Sequence, residues 1–306
     1  MNKEKYISLN YKADQNTCLE LENLNKNNED LSNFNLKEAN LDKINLVNAK
    51  MKNANLERSD LTNASMYGIN LSGSNLFKTN FENSNLNGAN LENCNLLGAN
   101  FNNSKLKNIN WGKNYQVINE LEADEAYKNG DIELANKKYR EAEDVYRNIK
   151  ISMQSQTLGN ETGEFFIREM IVKRKQLNKF SLQRIGSKII EITTGYGEKL
   201  GNIVFTILGI IIACMLLYGI EGVKYSDPIN GDRIIGFFSD DIQKFGLLNT
   251  LGNLFYFSVV VYSTVGFGEI VPIGLLGKSV VIFEGIVGGL VLAILIIALY
   301  KKSMDR

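Results

Sequence analysis

The sequence predicts a multidomain chain: a coiled β-structure in its N-terminal part, an α-helical connector, and an all-α membrane-spanning domain in its C-terminal part. Three observations carry this expectation. A large apolar residue recurs every fifth position from Leu31 to Trp111. Apolar residues spaced alternately three and four apart run from Ile132 to Met153, in a segment dense with Glu, Lys and Arg. Two apolar stretches, Leu200 to Ile220 and the residues between Lys278 and Lys301, each reach the roughly 20 residues that cross a bilayer. A net charge of +0 and 44% apolar residues average a polar half with an apolar tail, so composition by itself decides little.

The five-residue period comes first along the chain. Leu31, Leu36, Leu41, Leu46, Met51, Leu56, Leu61, Met66, Leu71, Leu76, Phe81, Leu86, Leu91, Leu96, Phe101, Leu106 and Trp111 keep it without a slip. Two residues before each, the side chain is commonly small, as at Ala39, Ala49, Ser59, Ala89 and Cys94, and asparagine commonly fills the position between. A period of five fits neither a 3.6-residue helix nor a two-residue strand. It suits a coil with flat sides and tight corners whose large and small residues point inward. The pattern resembles the pentapeptide-repeat family, and the resemblance implies a right-handed quadrilateral β-helix of about four coils over residues 29–114, roughly 20 Å tall at the usual strand spacing. Residues 1–28 and 112–120 are the expected caps. Eight acids balance eight bases between residues 29 and 112, so the rod lacks the negative field of a DNA mimic, and no nucleic-acid partner is expected. The asparagines read as turn chemistry.

Residues 115–182 form the cytoplasmic connector. A helix is expected over about 118–128, a turn at Gly130-Asp131, and a second helix whose seam is Ile132, Ala135, Tyr139, Ala142, Tyr146, Ile149 and Met153. The seam packs either within one subunit or between subunits. A third helix is expected from near Glu161, after Leu158-Gly159-Asn160, through Phe166, Met170, Leu177 and Phe180. Residues 183–199 combine Ile185, Ile189, Ile190 and Ile192 with Arg184 and Lys188, a pattern suited to a helix lying on the inner membrane surface.

Within 200–302, spans are expected at 200–220 and 279–300. Residues 248–262, with Phe255, Tyr256, Phe257 and Tyr262, are too short for a third span and fit a re-entrant helix buried by protein. Thr264-Val265-Gly266-Phe267-Gly268-Glu269 follows. Glycines at alternate positions accept positive φ, which lets successive carbonyls face one axis and replace the water around a cation. Val265 and Phe267 are expected to point backward against the supporting helix. The flank 165–199 holds eight bases and three acids, and Lys301, Lys302 and Arg306 follow the second span, so both termini read as cytoplasmic in a multi-pass plasma-membrane protein. The loop 221–249 carries five acids against three bases and reads as external. The polar N-terminus gives no sign of a cleavable signal peptide.

Span, short helix, TVGFG loop and span resemble the pore module of the potassium channel superfamily, with two spans per subunit. The resemblance implies a homotetramer in the lipid bilayer with the loop on its axis. Thr264, Val265, Gly266 and Phe267 would supply carbonyl sites for K+, and Gly268 would set the outer mouth. Glu269 stands where the family usually has aspartate. Phe257 is aligned with a filter-backing tryptophan that donates to that carboxylate, and phenylalanine cannot donate; Tyr262 is a further filter support.

Glu284 is a charge within a span and therefore expected to be functional. Its expected partners are Ser258, Tyr262 or a backbone amide, in a supporting role rather than as a direct ion site. Gly285 and Gly289 form GxxxG, suited to close helix packing, while Gly288 or Gly289 matches the family's inner-helix hinge. Leu292, Ile296 and Leu299 recur at helical spacing and are the candidate gate, with Tyr300 beside them. The chain has no histidine and only three cysteines, which excludes histidine-based catalysis and offers no disulfide framework. No catalytic constellation, cofactor fingerprint or arginine-periodic sensor is found, so an enzyme is not expected and no regulatory ligand is implied. The expected function is passive potassium conduction, with the N-terminal domain assembling the pore or biasing its gate. The alternatives are a non-selective monovalent cation channel and a membrane-tethered scaffold with a non-conducting pore.

Overall fold

A computed structural model describes residues 3–154, 159–227 and 231–304. The chain divides into two compact units, one ending at Lys188 and one beginning at Ile189.

In the first unit, α1 (Glu4–Ile7) and α2 (Thr17–Lys26) precede the repeats. Each pentapeptide then makes a turn followed by a single bridge residue, and every bridge pairs in parallel with the residue 20 positions on, from Asp30↔Lys50 to Asn90↔Asn110. Four pentapeptides therefore complete one coil. The third residue of the turn takes positive φ throughout, and the chain places Asn or Gly at most of these positions, from Asn33 through Gly68 and Gly88 to Asn108. These are the residues that tolerate a left-handed backbone most readily. The fifth-position apolar residues are all buried, as are the small residues before them. Phe81 and Phe101, one coil apart, stack with centroids 5.3 Å apart. At the bridge positions, Asn55 donates to Asn35 at 3.0 Å, Asn75 to Asn55 at 3.3 Å and Asn95 to Asn75 at 3.1 Å. Each of the last three also accepts from the backbone N–H two residues on. The asparagines thus close the corners and tie the coils together at once.

Both ends of the stack are covered. Tyr6 stacks on Phe34 at 4.8 Å, and its carbonyl accepts the Asn35 N–H. At the other end Trp111 meets Phe165 edge-on at 5.2 Å, and Tyr115 meets the same ring at 5.5 Å. The C-terminal cap therefore extends beyond residues 112–120 into the connector.

The connector is α3 (Ile118–Lys128), α4 (Ile132–Gln154) and α5 (Gly159–Lys175), with α4 packed between the other two. Ala135 to Met153 of the seam are buried inside the subunit, but Ile132 is half exposed at the helix start. The third helix differs from expectation at both ends. Gly159 and Asn160 lie in its first turn, Leu158 lies outside the described residues, and Leu177 and Phe180 fall beyond its end. Ionic contacts join this apolar packing. Buried Glu120 accepts from Tyr146 at 2.5 Å and Lys175 at 2.9 Å. Buried Glu169 accepts from Lys150 at 2.6 Å and Lys173 at 2.7 Å.

Helix α6 (Leu182–Thr194) leaves Ile185, Ile189, Ile190 and Ile192 about half exposed. In the second unit, α7 (Leu200–Glu221) and α10 (Gly274–Met304) are long and apolar enough to cross a membrane. Between them come β1 (Val223–Asp227), β2 (Gly231–Ile235), α8 (Asp240–Phe245), α9 (Leu247–Tyr262) and β3 (Ile270–Pro272). The strands form an antiparallel sheet in the order β2-β1-β3, with Val223↔Ile235 and Tyr225↔Ile270 in register. The all-α expectation for this unit is thus corrected by a small sheet, built where the chain leaves the apolar helices and its backbone must pair elsewhere.

Burial alone would raise the Glu169 carboxyl; the hydrogen bonds and charges of Lys150 and Lys173 outweigh it and hold the group below its ordinary value of 4.5. A depressed folded-state pKa stabilises above the ordinary value, and the contribution is lost as pH falls through the folded one. Protection of α4 and α5 amides in hydrogen exchange, corrected for intrinsic rates, is therefore expected to fall as the pH drops below the ordinary carboxyl value of 4.5, and to fall less in Glu169→Gln.

Candidate functional site

The site begins at the C-terminal end of α9. The Ser263, Thr264 and Val265 amides still donate to Val259, Val261 and Val260, at 2.9, 3.0 and 3.2 Å. The partial negative charge of a helix C-terminus therefore lies at the start of the loop 264–268. From Thr264 on the backbone alternates: Thr264, Gly266 and Gly268 have φ of +58, +59 and +83°. Glycine takes that conformation freely, whereas a β-branched threonine there is strained, by about 1–3 kcal/mol. Among the described residues, no backbone amide donates to the carbonyls of 264–268. The loop thus presents a row of unpaired carbonyl dipoles with alternating handedness. The side chains of Val265 and Phe267, expected to wedge backward, are 56% and 68% exposed in the single subunit, so any packing they find lies outside it.

The loop's exit is held from two sides. The Glu269 carbonyl accepts from the Ser226 N–H at 2.9 Å, so the chain passes from the loop straight into sheet pairing with β1. The Glu269 carboxylate accepts from the Tyr256 hydroxyl at 2.5 Å. This corrects the assignment of Phe257 to the backing position: one residue along a helix turns the side chain by about 100°. Phe257 is buried edge-on against Tyr218 at 4.8 Å, while Tyr256 faces the loop's outer end and supplies the donor.

Behind α9 lies Glu284, fully buried. It accepts from Ser258 at 2.5 Å and from Tyr218 at 2.7 Å. Ser258 Oγ also lies 2.9 Å from the Ile211 carbonyl, so its single proton is shared between two acceptors. The carboxylate thereby joins all three apolar helices: α7 through Tyr218, α9 through Ser258, and its own α10. Of the expected partners Ser258 is present, but Tyr262 is not; its buried hydroxyl has no partner among the described residues. Tyr218 was missed because it lies 66 positions away on the other long helix, with nothing in the local pattern to mark it.

The glycines of α10 separate by role. A Cβ on Gly288 would come within 3.0 Å of the Tyr262 ring and 3.1 Å of its carbonyl, so this glycine admits α9 to close contact. Gly285 and Gly289 meet nothing within 4 Å, so the GxxxG pair makes no close helix contact inside the subunit. Further along, Ile296 and Leu299 are more than half exposed and Leu292 is half-buried.

Comparison with known proteins agrees with this division. The family model described as ion channel matches residues 232–302, taking in β2, α8, α9, the loop and α10. The model for pentapeptide repeats matches residues 39–76 and 74–110, in eight copies. The C-terminal unit therefore contains an ion channel domain. The chain joins that domain to pentapeptide repeats, and with its two long apolar helices it is a membrane protein. Among solved structures, a pentapeptide repeat protein, Rfr23, from the cyanobacterium Cyanothece 51142 is 41% identical over 27% of this chain and 56% of its own, with a TM-score of 0.26. A pentapeptide repeat protein from the Arabidopsis thaliana thylakoid lumen is 26% identical over 26% of this chain and 60% of its own, with a TM-score of 0.20. This chain thus spans less than two thirds of either. No curated protein matches it.

Three substitutions at two positions probe the site. Glu284→Leu leaves the Tyr218 hydroxyl buried without its acceptor, at a cost of about 1–3 kcal/mol, and is expected to lower the thermal midpoint of the detergent-purified protein. Glu284→Gln, which keeps a carbonyl oxygen, should lose less; identical midpoints for all three proteins would remove Glu284 from the packing. Tyr256→Phe deletes the exposed hydrogen bond to the Glu269 carboxylate, and is expected to shorten conducting bursts in single-channel records.

Proposed function

We propose that the protein is a homotetrameric channel that passes potassium down its gradient through the backbone carbonyls of Thr264, Val265, Gly266 and Phe267, with Gly268 at the outer mouth. The observation that carries this reading is the alternating backbone of 264–268, with its unpaired carbonyls set at the end of a short apolar helix. One subunit contributes one such row, and a cation's hydration shell needs several converging rows. Fourfold symmetry about the loop supplies them, and gives the exposed Val265 and Phe267 a neighbour to pack against.

In this reading α9 is a re-entrant pore helix, α7 and α10 are the outer and inner spans, and both termini are cytoplasmic at the plasma membrane. Glu284 braces the pore helix. Gly288, packed on Tyr262, and its neighbour Gly289 are the places where the inner helix can flex, and Leu292, Ile296 and Leu299 line the cavity below and close it by dewetting. The pentapeptide repeats form a right-handed quadrilateral β-helix that assembles the tetramer or biases its gate through α6. The apolar face of α6 is suited to the inner leaflet, with Arg184 and Lys188 at the headgroups.

A second reading, a cation channel with little preference between potassium and sodium, is favoured by the outer mouth. Glu269 carries one more methylene than aspartate, and a tyrosine rather than a tryptophan holds it. The deciding experiment is the reversal potential of the purified protein in planar bilayers, with potassium on one side and sodium on the other. A reversal close to the potassium equilibrium potential is expected. A robust current reversing near zero would replace the first reading with the second.

A further inference from the structure

The loop 264–268 passes through Glu269 into β3, a strand that holds little by itself. It is three residues long and pairs only with β1, which pairs with β2 on its other side. Two strands alone are marginal, whereas a third strand and packing on one face make a sheet stable. The position of the loop's exit therefore depends on how β2 is fixed.

The strand register puts one side chain at that point. Arg233, Tyr225 and Ile270 stand opposite one another across the three strands, beside the row Ile235, Val223 and Pro272. Residues two apart on a strand share a face. Both rows therefore lie on the side where Val223, Ile235 and Ile270 are buried with Tyr218 and Phe257. Arg233 is a charge at the margin of this apolar face. Its guanidinium lies over the Tyr225 ring at 5.0 Å and the Phe245 ring at 4.7 Å, and donates to Asp241 Oδ1 at 3.3 Å. Asp241 is only 5% exposed, so removing its cation would leave a buried charge uncompensated. The turn between β2 and α8 is anchored in its own right. The Phe237 N–H donates to the Gly219 carbonyl of α7 at 2.7 Å, and the Gly236 N–H to Ser239 Oγ at 3.1 Å. One guanidinium thus links this anchored turn to the middle strand, where Ser226, next to Tyr225, holds the Glu269 carbonyl. The opposite face offers a contrast: Lys224 and Asp232 pair at 2.6 Å with about half of each side chain exposed, an arrangement worth little.

Resting on the channel reading above, we propose that Arg233 is a positioning residue for selective conduction. It fixes β1 against β2 and α8, and through Tyr225 and Ser226 it sets the outer end of the carbonyl row. It touches no carbonyl of the loop; it acts through the sheet. A planar guanidinium suits this place because it stacks on two rings while one nitrogen donates to a carboxylate. A lysine ammonium keeps the charge but lacks the flat fork that serves all three partners at once.

The test combines hydrogen exchange and the reversal potential on the full-length, lipid-embedded protein. Arg233→Met is expected to lower protection over residues 223–227 and 269–272 about tenfold, and to move the reversal potential between potassium and sodium toward zero. Arg233→Lys should lose part of each. Lys224→Met, which breaks the exposed pair on the opposite face, should change neither. Phe245→Leu removes one ring from a half-exposed position and should act in the same direction as Arg233→Met, which keeps the test valid if that variant fails to fold. Protection lost over 231–245 alone, with 269–272 unchanged, overturns the proposal. So does full potassium preference in Arg233→Met despite lost protection, and so does an equal effect of Lys224→Met. Exchange needs no current. Dependence of 269–272 on Arg233 in a protein that never conducts leaves the clamp standing and sinks the channel reading, whereas selective conduction with 269–272 indifferent to Arg233 does the reverse.

Discussion

Every backbone amide and carbonyl removed from water must find a partner, and this chain meets the demand in three different ways. In the repeats each coil serves the next: the Leu31 amide donates to Lys50 and the Leu36 amide to Asn55, both at 2.7 Å, and the pattern continues up the stack. In α7, α9 and α10 the demand is met within each helix, as the interior of a bilayer requires. Between α9 and β3 it is left open, over the carbonyls of 264–268. Such a gap costs free energy unless something else supplies the missing positive charge, which is what the proposed conduction of a cation along these carbonyls would provide.

The surroundings of the gap are correspondingly over-determined. The strained Thr264 sits between the last turn of α9 and an alternating glycine backbone. The loop's exit is clamped by Tyr256 through a side chain and by Ser226 through the backbone. Behind it, a single buried carboxylate, Glu284, gathers hydroxyls from α7 and α9 onto α10. Burying such a group costs free energy, offset here by two strong hydrogen bonds. In return, three apolar helices that would otherwise slide on one another acquire a fixed register.

What the sequence revealed follows from how local each signal is. The repeats were legible because their period is one-dimensional: Leu31 to Trp111 can be counted without knowing which residues touch. Even there a second column, the Asn and Gly at the positive-φ corners, is masked by the more regular asparagines at the bridge positions. Helices α3, α4 and α7 were legible from spacing, capping and hydropathy. The sheet was not, since its strands are three to five residues long and its key pair, Tyr225 with Ile270, spans the whole loop region. Phe257 was chosen over Tyr256 because alignment by residue type ignores which face of the helix a position occupies. Tyr218 was invisible because its bond to Glu284 joins segments 66 positions apart.

Trp111 is the only tryptophan in the chain, and it sits at the top of the coil stack, edge-on to Phe101 at 6.3 Å and to Phe165 at 5.2 Å. The single indole fluorophore is therefore at the junction of repeats and connector, and the apolar helices carry tyrosine but no tryptophan. Emission from the intact, lipid-embedded protein excited at the red edge, where tyrosine does not absorb, reports on that junction alone. Opening of the cap is optically separable from any event in the bilayer, without a label and without cutting the chain.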